Sequence, residues 1–125
     1  MEVLQESIEQ ESQLLHSSNK LTLVFNVAGV KYSKYKGFDN IKSGDKLSLS
    51  PDKYNKFDPF AIKIIDPQNQ FIGFVPREYT EGLSNLLALG SVYTTTIVWI
   101  MNKEISVKVS IEIGNNYTKQ NGNTV

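Results

Sequence analysis

The chain has no cysteine at all, and only one histidine and one tryptophan. Without thiols there is no disulfide framework and no thiolate metal site, a composition that suits a reducing compartment. The lone histidine, His16, lies in a polar stretch with no second ligand at metal spacing, so it reads as a surface residue. No apolar run approaches the length of a membrane span. The opening Met-Glu-Val-Leu-Gln-Glu-Ser lacks the basic start and continuous apolar run of a secretory signal. Also missing are a Gly-Lys-Ser/Thr phosphate loop and a Gly-x-Gly-x-x-Gly fingerprint. Asp58 could act in acid–base chemistry only with a second carboxylate, and nothing in the sequence positions one. These absences lead us to expect a cytoplasmic, non-enzymatic protein with no cofactor, no metal and no membrane contact.

An excess of either charge is lacking too, since 13 basic residues balance 13 acidic ones. Zero net charge argues against strong non-specific binding to nucleic acid. The distribution is less even. Met1 to His16 holds four glutamates and no lysine or arginine, whereas Lys31 to Lys63 holds eight lysines against four aspartates. A basic middle is hidden inside a neutral total.

What is present fits a single domain of 125 residues with an ordinary apolar content. Residues 1–18 read as an acidic arm or short helix, a candidate homodimer contact. The core domain spans 19–113, and 114–125 reads as a flexible tail. Lys20 to Gly29 alternates, with Leu21, Leu23, Phe25 and Val27 on one face of a strand. Lys31 to Lys36 reads as a loop that interleaves lysine and tyrosine. Short strands follow at Lys46–Ser50, Ala61–Asp66 and Gln70–Val75, the last two joined by a Pro67-Gln68-Asn69 turn. Pro76 opens a helix that ends near Leu89 and Gly90 and buries Leu83, Leu86 and Leu87. Two long β-rich runs, Ser91–Met101 and Glu104–Ile113, meet at Asn102-Lys103 in a tight hairpin. The expected fold is mostly β with minor α. It is a small OB-like or SH3-like antiparallel β-barrel of about six strands, with one main helix between strands 4 and 5. A split α+β sandwich is the runner-up.

Three clusters could carry function, and each has two readings. Tyr32 and Tyr35 either cap the barrel or offer flat faces to unpaired bases, with the nearby lysines meeting phosphates. Asn55 and Asp58 either hydrogen-bond their own loop while Phe57 plugs the core, or the loop presents Phe57 for stacking and Asp58 to a hydroxyl. A carboxylate repels a phosphodiester, so Asp58 would favour a strand terminus. Arg77 either pairs with Glu78 or Glu81 on the surface, or holds a phosphate beside the first amides of its helix.

Taken together, Val27-Ala28-Gly29-Val30-Lys31-Tyr32, Leu47-x-Leu-x-Pro51, Asn55-x-Phe57-Asp58-x-x-Ala61-Ile62-Lys63-Ile64 and Ile72-Gly73-Phe74-Val75-Pro76-Arg77 resemble the HIRAN domain. That domain occurs fused to SNF2-type helicases and as small free-standing bacterial proteins. The resemblance covers roughly Leu21 to Ile113 and implies an OB-like barrel that binds single-stranded DNA by its 3′ end, in DNA repair or processing. It places Tyr32 and Phe57 on the two base-holding ring positions, the second usually tyrosine. Asp58, with Asn55 beside it, falls on the acid that recognises the 3′-hydroxyl. Lys31 and Arg77 fall on phosphate-contact positions, Lys31 standing where arginine is common, and Gly29 where the backbone nears the ligand. Phe74 stands at a position that is polar in some members. No helicase or nuclease is part of this sequence, so such a partner would be a separate protein. The competing expectation is a protein-interaction or assembly module that keeps the barrel without binding DNA.

Overall fold

The computed structural model describes residues 20–112. The acidic arm at 1–18 with its dimer contact, His16, and the tail at 114–125 lie outside the described residues. Six strands are formed: β1 (Lys20–Asn26), β2 (Lys46–Pro51), β3 (Ile62–Ile65), β4 (Phe71–Phe74), β5 (Tyr93–Met101) and β6 (Glu104–Glu112). They make one antiparallel sheet in the order β1-β6-β5-β2-β3-β4. Between β1 and β2 come a single helical turn, α1 (Val30–Ser33), and a 3-10 turn at Phe38–Asn40; α2 (Arg77–Ala88) links β4 to β5. The expected mostly-β fold of six strands with one main helix after the fourth is the observed one, curled into a half-barrel. Among the described residues, no helix is long and apolar enough to cross a membrane.

Alternation in the strands fills the core from one face. Ile105, Val107, Val109 and Ile111 of β6 are each 0% exposed, and Leu47, Leu49, Ile62, Ile64, Ile72 and Ile97 join them in one cluster. On β1 the inward row is buried at Phe25, half-buried at Leu23 and exposed at Leu21. The strand therefore runs out past the edge of the core, although its sequence alternates throughout. Leu83 anchors α2 in the same cluster, with Leu86 and Leu87 packed half-buried against it. The helix ends as Gly90 (φ 79) donates its N–H to Leu87 O at 3.0 Å and Ser91 donates to Leu86 O at 3.2 Å.

The half-barrel closes where β1 runs out. Val27 donates its N–H to Ile105 O at 2.8 Å, on the β6 side. The next amide, Ala28, turns the other way and donates to Phe74 O of β4 at 2.8 Å, while Phe74 N–H returns to Ala28 O at 2.9 Å. This approach depends on Gly73, because a Cβ there would sit 2.5 Å from Ala28 O and 2.7 Å from Val27 Cγ1. Gly29 serves a different need: nothing lies within 4 Å of a Cβ built there, but its φ of 72 is left-handed. That conformation turns the chain out of β1 and into α1. The stretch expected as a Lys/Tyr loop thus opens on a helical turn. A left-handed residue stands at each end, Gly29 and Lys34, and Ser33 Oγ ties the turn to Val30 O at 2.7 Å and to Ile72 O of β4 at 2.6 Å.

A buried polar pair fixes the next segment. Asp66 accepts the N–H groups of Gln68 (2.9 Å) and Gln70 (2.7 Å) on Oδ1, which shapes the expected hairpin turn, and the Tyr35 hydroxyl donates to its Oδ2 at 2.7 Å. Burial first, and then the adjacent Asp66 carboxylate, push the Tyr35 phenol well above its ordinary range.

Two tests follow from this packing. Gly73→Ala should lower stability by about 1–3 kcal/mol in urea denaturation, because backbone rather than a flexible side chain blocks the added carbon. Tyr35 holds its proton more tightly folded than unfolded, so its contribution is complete below about pH 10 and is lost as pH rises above that. Wild-type stability should fall above pH 10, at up to about 1.4 kcal/mol per pH unit, more steeply than that of Tyr35→Phe.

Candidate functional site

The loop between β2 and β3 is built on its own polar side chains. Asp52 N–H bonds Ala61 O at 2.8 Å across the loop base, and Asn55 N–H bonds Asp52 O at 3.1 Å. Asn55 Oδ1 accepts from both Phe57 N–H and Asp58 N–H at 2.9 Å, while its Nδ2 donates to Asp52 Oδ2 at 3.2 Å. Both lone pairs of that oxygen are then used, and one amide hydrogen remains. Asp58 Oδ1 accepts from Phe60 N–H at 2.9 Å, and its Oδ2 accepts the Thr80 hydroxyl of α2 at 2.8 Å. Each carboxylate oxygen retains a lone pair, so Asp58 is fixed in place yet able to accept further donors. Asn55 and Asp58 do hold their own loop, as the first of their two readings has it.

The other half of that reading is overturned. Phe57 is 86% exposed and plugs nothing. The loop spends its hydrogen bonds on holding an aromatic ring out in water. Burying such a ring against a ligand would contribute about 1.5–3 kcal/mol. The Tyr pair divides in the same way. Tyr35 is buried at 8% and caps the barrel, whereas Tyr32 is 82% exposed, with Lys31 Nζ 5.9 Å from its ring centre. The local reading treated the two tyrosines alike, whereas the family resemblance singled out Tyr32, the one the structure leaves exposed.

Phe74 links the two halves of the site. It is half-buried and packs edge-to-face on Phe71 at 5.1 Å. Its backbone bridge to Ala28 puts the chain leading to Gly29, Lys31 and Tyr32 alongside β4. Past Phe74, Val75 N–H bonds Ile62 O at 3.0 Å, and Pro76 then delivers Arg77 to the exposed start of α2. The Thr80 bond to Asp58 brings the Phe57 loop to that same helix start. The structure therefore assembles Asn55, Phe57, Asp58, Phe74 and Arg77 around the end of β4 and the start of α2. Gly29, Lys31 and Tyr32 are attached through the Ala28 bridge.

Sequence reasoning missed two features. Thr80, which clamps Asp58, gave no signal beyond lying one turn into a helix. Tyr54, 92% exposed on the Phe57 loop, is a further free ring whose solvent position nothing in the pattern marked. Among the described residues, no group of three or more His, Cys, Asp or Glu side chains could hold a metal ion.

Comparison with known proteins places this architecture. The HIRAN domain profile matches residues 20–114. The chain belongs to the HIRAN domain family. Among curated proteins, none matches. Among solved structures, the fold is similar to the HIRAN domain of human HLTF (TM-score 0.65, 15% identity, covering 83% of this chain and 88% of that one). It is also similar to the HLTF HIRAN domain in its DNA-bound conformation (TM-score 0.60, 18% identity, 79% and 80% covered). A protein from Lactobacillus plantarum has the same fold (TM-score 0.63, 14% identity, 74% and 96% covered).

The Thr80 clamp can be tested directly. Thr80→Val should cost about 1.5–3 kcal/mol in urea denaturation, the usual worth of a hydrogen bond to a charged group. It should also speed amide exchange at Asp58 and Phe60, while amides of β6 keep their order of protection.

Proposed function

We propose that the chain is a non-catalytic nucleic-acid-binding module that holds the 3′ end of a single DNA strand. The observation that carries this reading is the exposure of two rings, Tyr32 at 82% and Phe57 at 86%, the second next in the chain to Asp58, whose carboxylate keeps unused lone pairs. Family membership supports it, as does the similarity to an HLTF domain described as DNA-bound.

Each side chain then has a physical task. Tyr32 and Phe57 stack on the terminal bases, each stack worth about 1–3 kcal/mol. Phe57 needs no hydroxyl for this, since stacking uses the ring face alone. Asp58 accepts a hydrogen bond from the terminal hydroxyl, and Phe60 N–H and Thr80 pre-set its geometry. Asn55 holds the loop in shape and has one N–H left for the ligand. Lys31 and Arg77 contact phosphates, Phe74 provides the apolar floor between the two halves, and Gly29 lets the backbone turn close to the strand. A phosphate at the 3′ position would meet Asp58 charge to charge. The site thus rejects a blocked end by repulsion as well as by loss of a hydrogen bond. A helicase or nuclease is the kind of partner such a module would serve, in DNA repair or processing.

Anisotropy of a 5′-labelled single strand at low salt tests the reading, compared with the same strand ending in a 3′-phosphate. Binding should weaken at least about tenfold on blocking, the loss of one charge-assisted hydrogen bond. Equal binding to both would remove the end-specific role. Tyr32→Ala with Phe57→Ala should reduce affinity by about thirtyfold or more if both stacks form. An unchanged affinity would move the reading to a protein-interaction module.

A further inference from the structure

The site just described occupies one flank of α1, and a second feature occupies the other. Where β1 ends, Ala28 faces β4, whereas Val27 faces β6 through its 2.8 Å bond to Ile105 O. Ile105 lies next to the tip of the β5–β6 hairpin, so α1 sits between the Phe74–Arg77 corner and that tip. Two adjoining clefts, of about 450 and 340 Å³, lie between α1 and the tip, and Lys31 and Lys103 line both. Lys34 and Lys36 complete the second cleft, Tyr32 lines the first, and Glu104 is the one carboxylate in either lining.

The backbone holds these lysines where they are. Lys34 (φ 58) ends α1 in the left-handed region, and Lys103 (φ 62) occupies the second position of the tight hairpin. Both conformations are strained for lysine and easier for asparagine or glycine. All four lysines are exposed, and the ion pair among the described residues is Lys42–Asp45, elsewhere in the chain. The result is a basic strip in an otherwise neutral protein, continuous with the Tyr32 ring through Lys31.

We propose that Lys34, Lys36 and Lys103 bind the internal phosphates of a strand whose terminal nucleotides occupy the Tyr32–Phe57 site. This rests on the end-binding reading above. With the terminal hydroxyl on Asp58, a strand that continues past Tyr32 enters the cleft that ring shares with the hairpin tip. Lysine suits this task because a point charge on a flexible stem follows a moving backbone without selecting sequence. The strip therefore adds length and salt dependence, and the rings add end selection.

The test uses the full chain and a triple variant, Lys34→Asn, Lys36→Gln and Lys103→Asn, with asparagine chosen for the two left-handed positions. Anisotropy is read across a salt series with 5′-labelled strands of about 4 and about 16 nucleotides, the two ends of the range for OB-type sites. An unchanged thermal midpoint and circular dichroism spectrum show that the variant folds; if it does not, the single substitution Lys36→Gln, at an ordinary backbone position, is read in its place. For the longer strand, the slope of log affinity against log salt should become shallower by about 2 for the triple variant, or about 0.7 for Lys36→Gln alone. The shorter strand should bind within about twofold of wild type, since its phosphates stay near Lys31 and Arg77. An unchanged slope for the longer strand would overturn the strip and leave end binding intact. A reduced slope combined with indifference to a 3′-phosphate would uphold the strip and overturn end recognition. If the wild-type chain binds neither strand, both readings fall.

Discussion

The meeting of Ala28 with Phe74 brings the two halves of the candidate site together. Two backbone hydrogen bonds, of 2.8 and 2.9 Å, join the end of the first strand to the fourth. They form only because residue 73 has no side chain, with carbonyl and methyl groups already filling the space a Cβ would need. The sheet would otherwise stay open at this edge, leaving unpaired amides and carbonyls exposed to other chains. Closure here converts a curled sheet into a frame. It also sets two segments far apart in sequence side by side, the Gly29–Tyr32 turn and the Phe74–Arg77 corner.

The loop that carries Phe57 shows a second constraint, the use of polar groups to hold an apolar one in water. Asn55 accepts two backbone N–H groups and donates to Asp52, Asp58 accepts the Phe60 N–H, and Thr80 fixes the assembly to the helix. A loop this well satisfied does not gain stability from an exposed phenylalanine. The ordering of ring and carboxylate is in place before any ligand arrives, so less entropy is lost when one binds. Structure and recognition therefore use the same residues. Asp58 is at once a loop brace and a free acceptor, because a carboxylate has more lone pairs than its two protein donors occupy.

The strands, their order of burial and the one main helix were legible because alternation and punctuation are local properties. Ile105 to Ile111 reads as a buried face in any context, and Asn102-Lys103 reads as a tight turn. What could not be read was the fate of individual aromatic residues. Tyr32 and Tyr35 are three positions apart in one polar stretch, yet one is bare and the other is buried against Asp66. Tyr32 lies within the helical turn, and the left-handed Lys34 follows that turn just before Tyr35. Thr80 was invisible for a similar reason, since its partner is 22 residues away and joined to it only by the folded loop. Gly29 and Gly73 also looked alike as glycines in β-rich sequence. One is needed for its backbone angle, and the other for the absence of a side chain.

Neutral total charge and a basic working surface are compatible once the geometry is considered. Of the eight lysines between Lys31 and Lys63, three lie in the α1 stretch, and the other five stand elsewhere on the half-barrel. The α1 turn and the hairpin tip gather Lys31, Lys34, Lys36 and Lys103 onto one flank, while Arg77 stands on the other side of the rings. A field concentrated in this way acts mainly within a Debye length, about 8 Å at physiological salt. It therefore orients a strand already in contact and does little to attract one from a distance. In the proposed end-binding mode, selectivity comes from stacked rings and a placed carboxylate. The cations contribute a salt-sensitive share that grows with the length of strand held. A neutral chain with a short basic strip is thus suited to holding an end without coating the strand behind it.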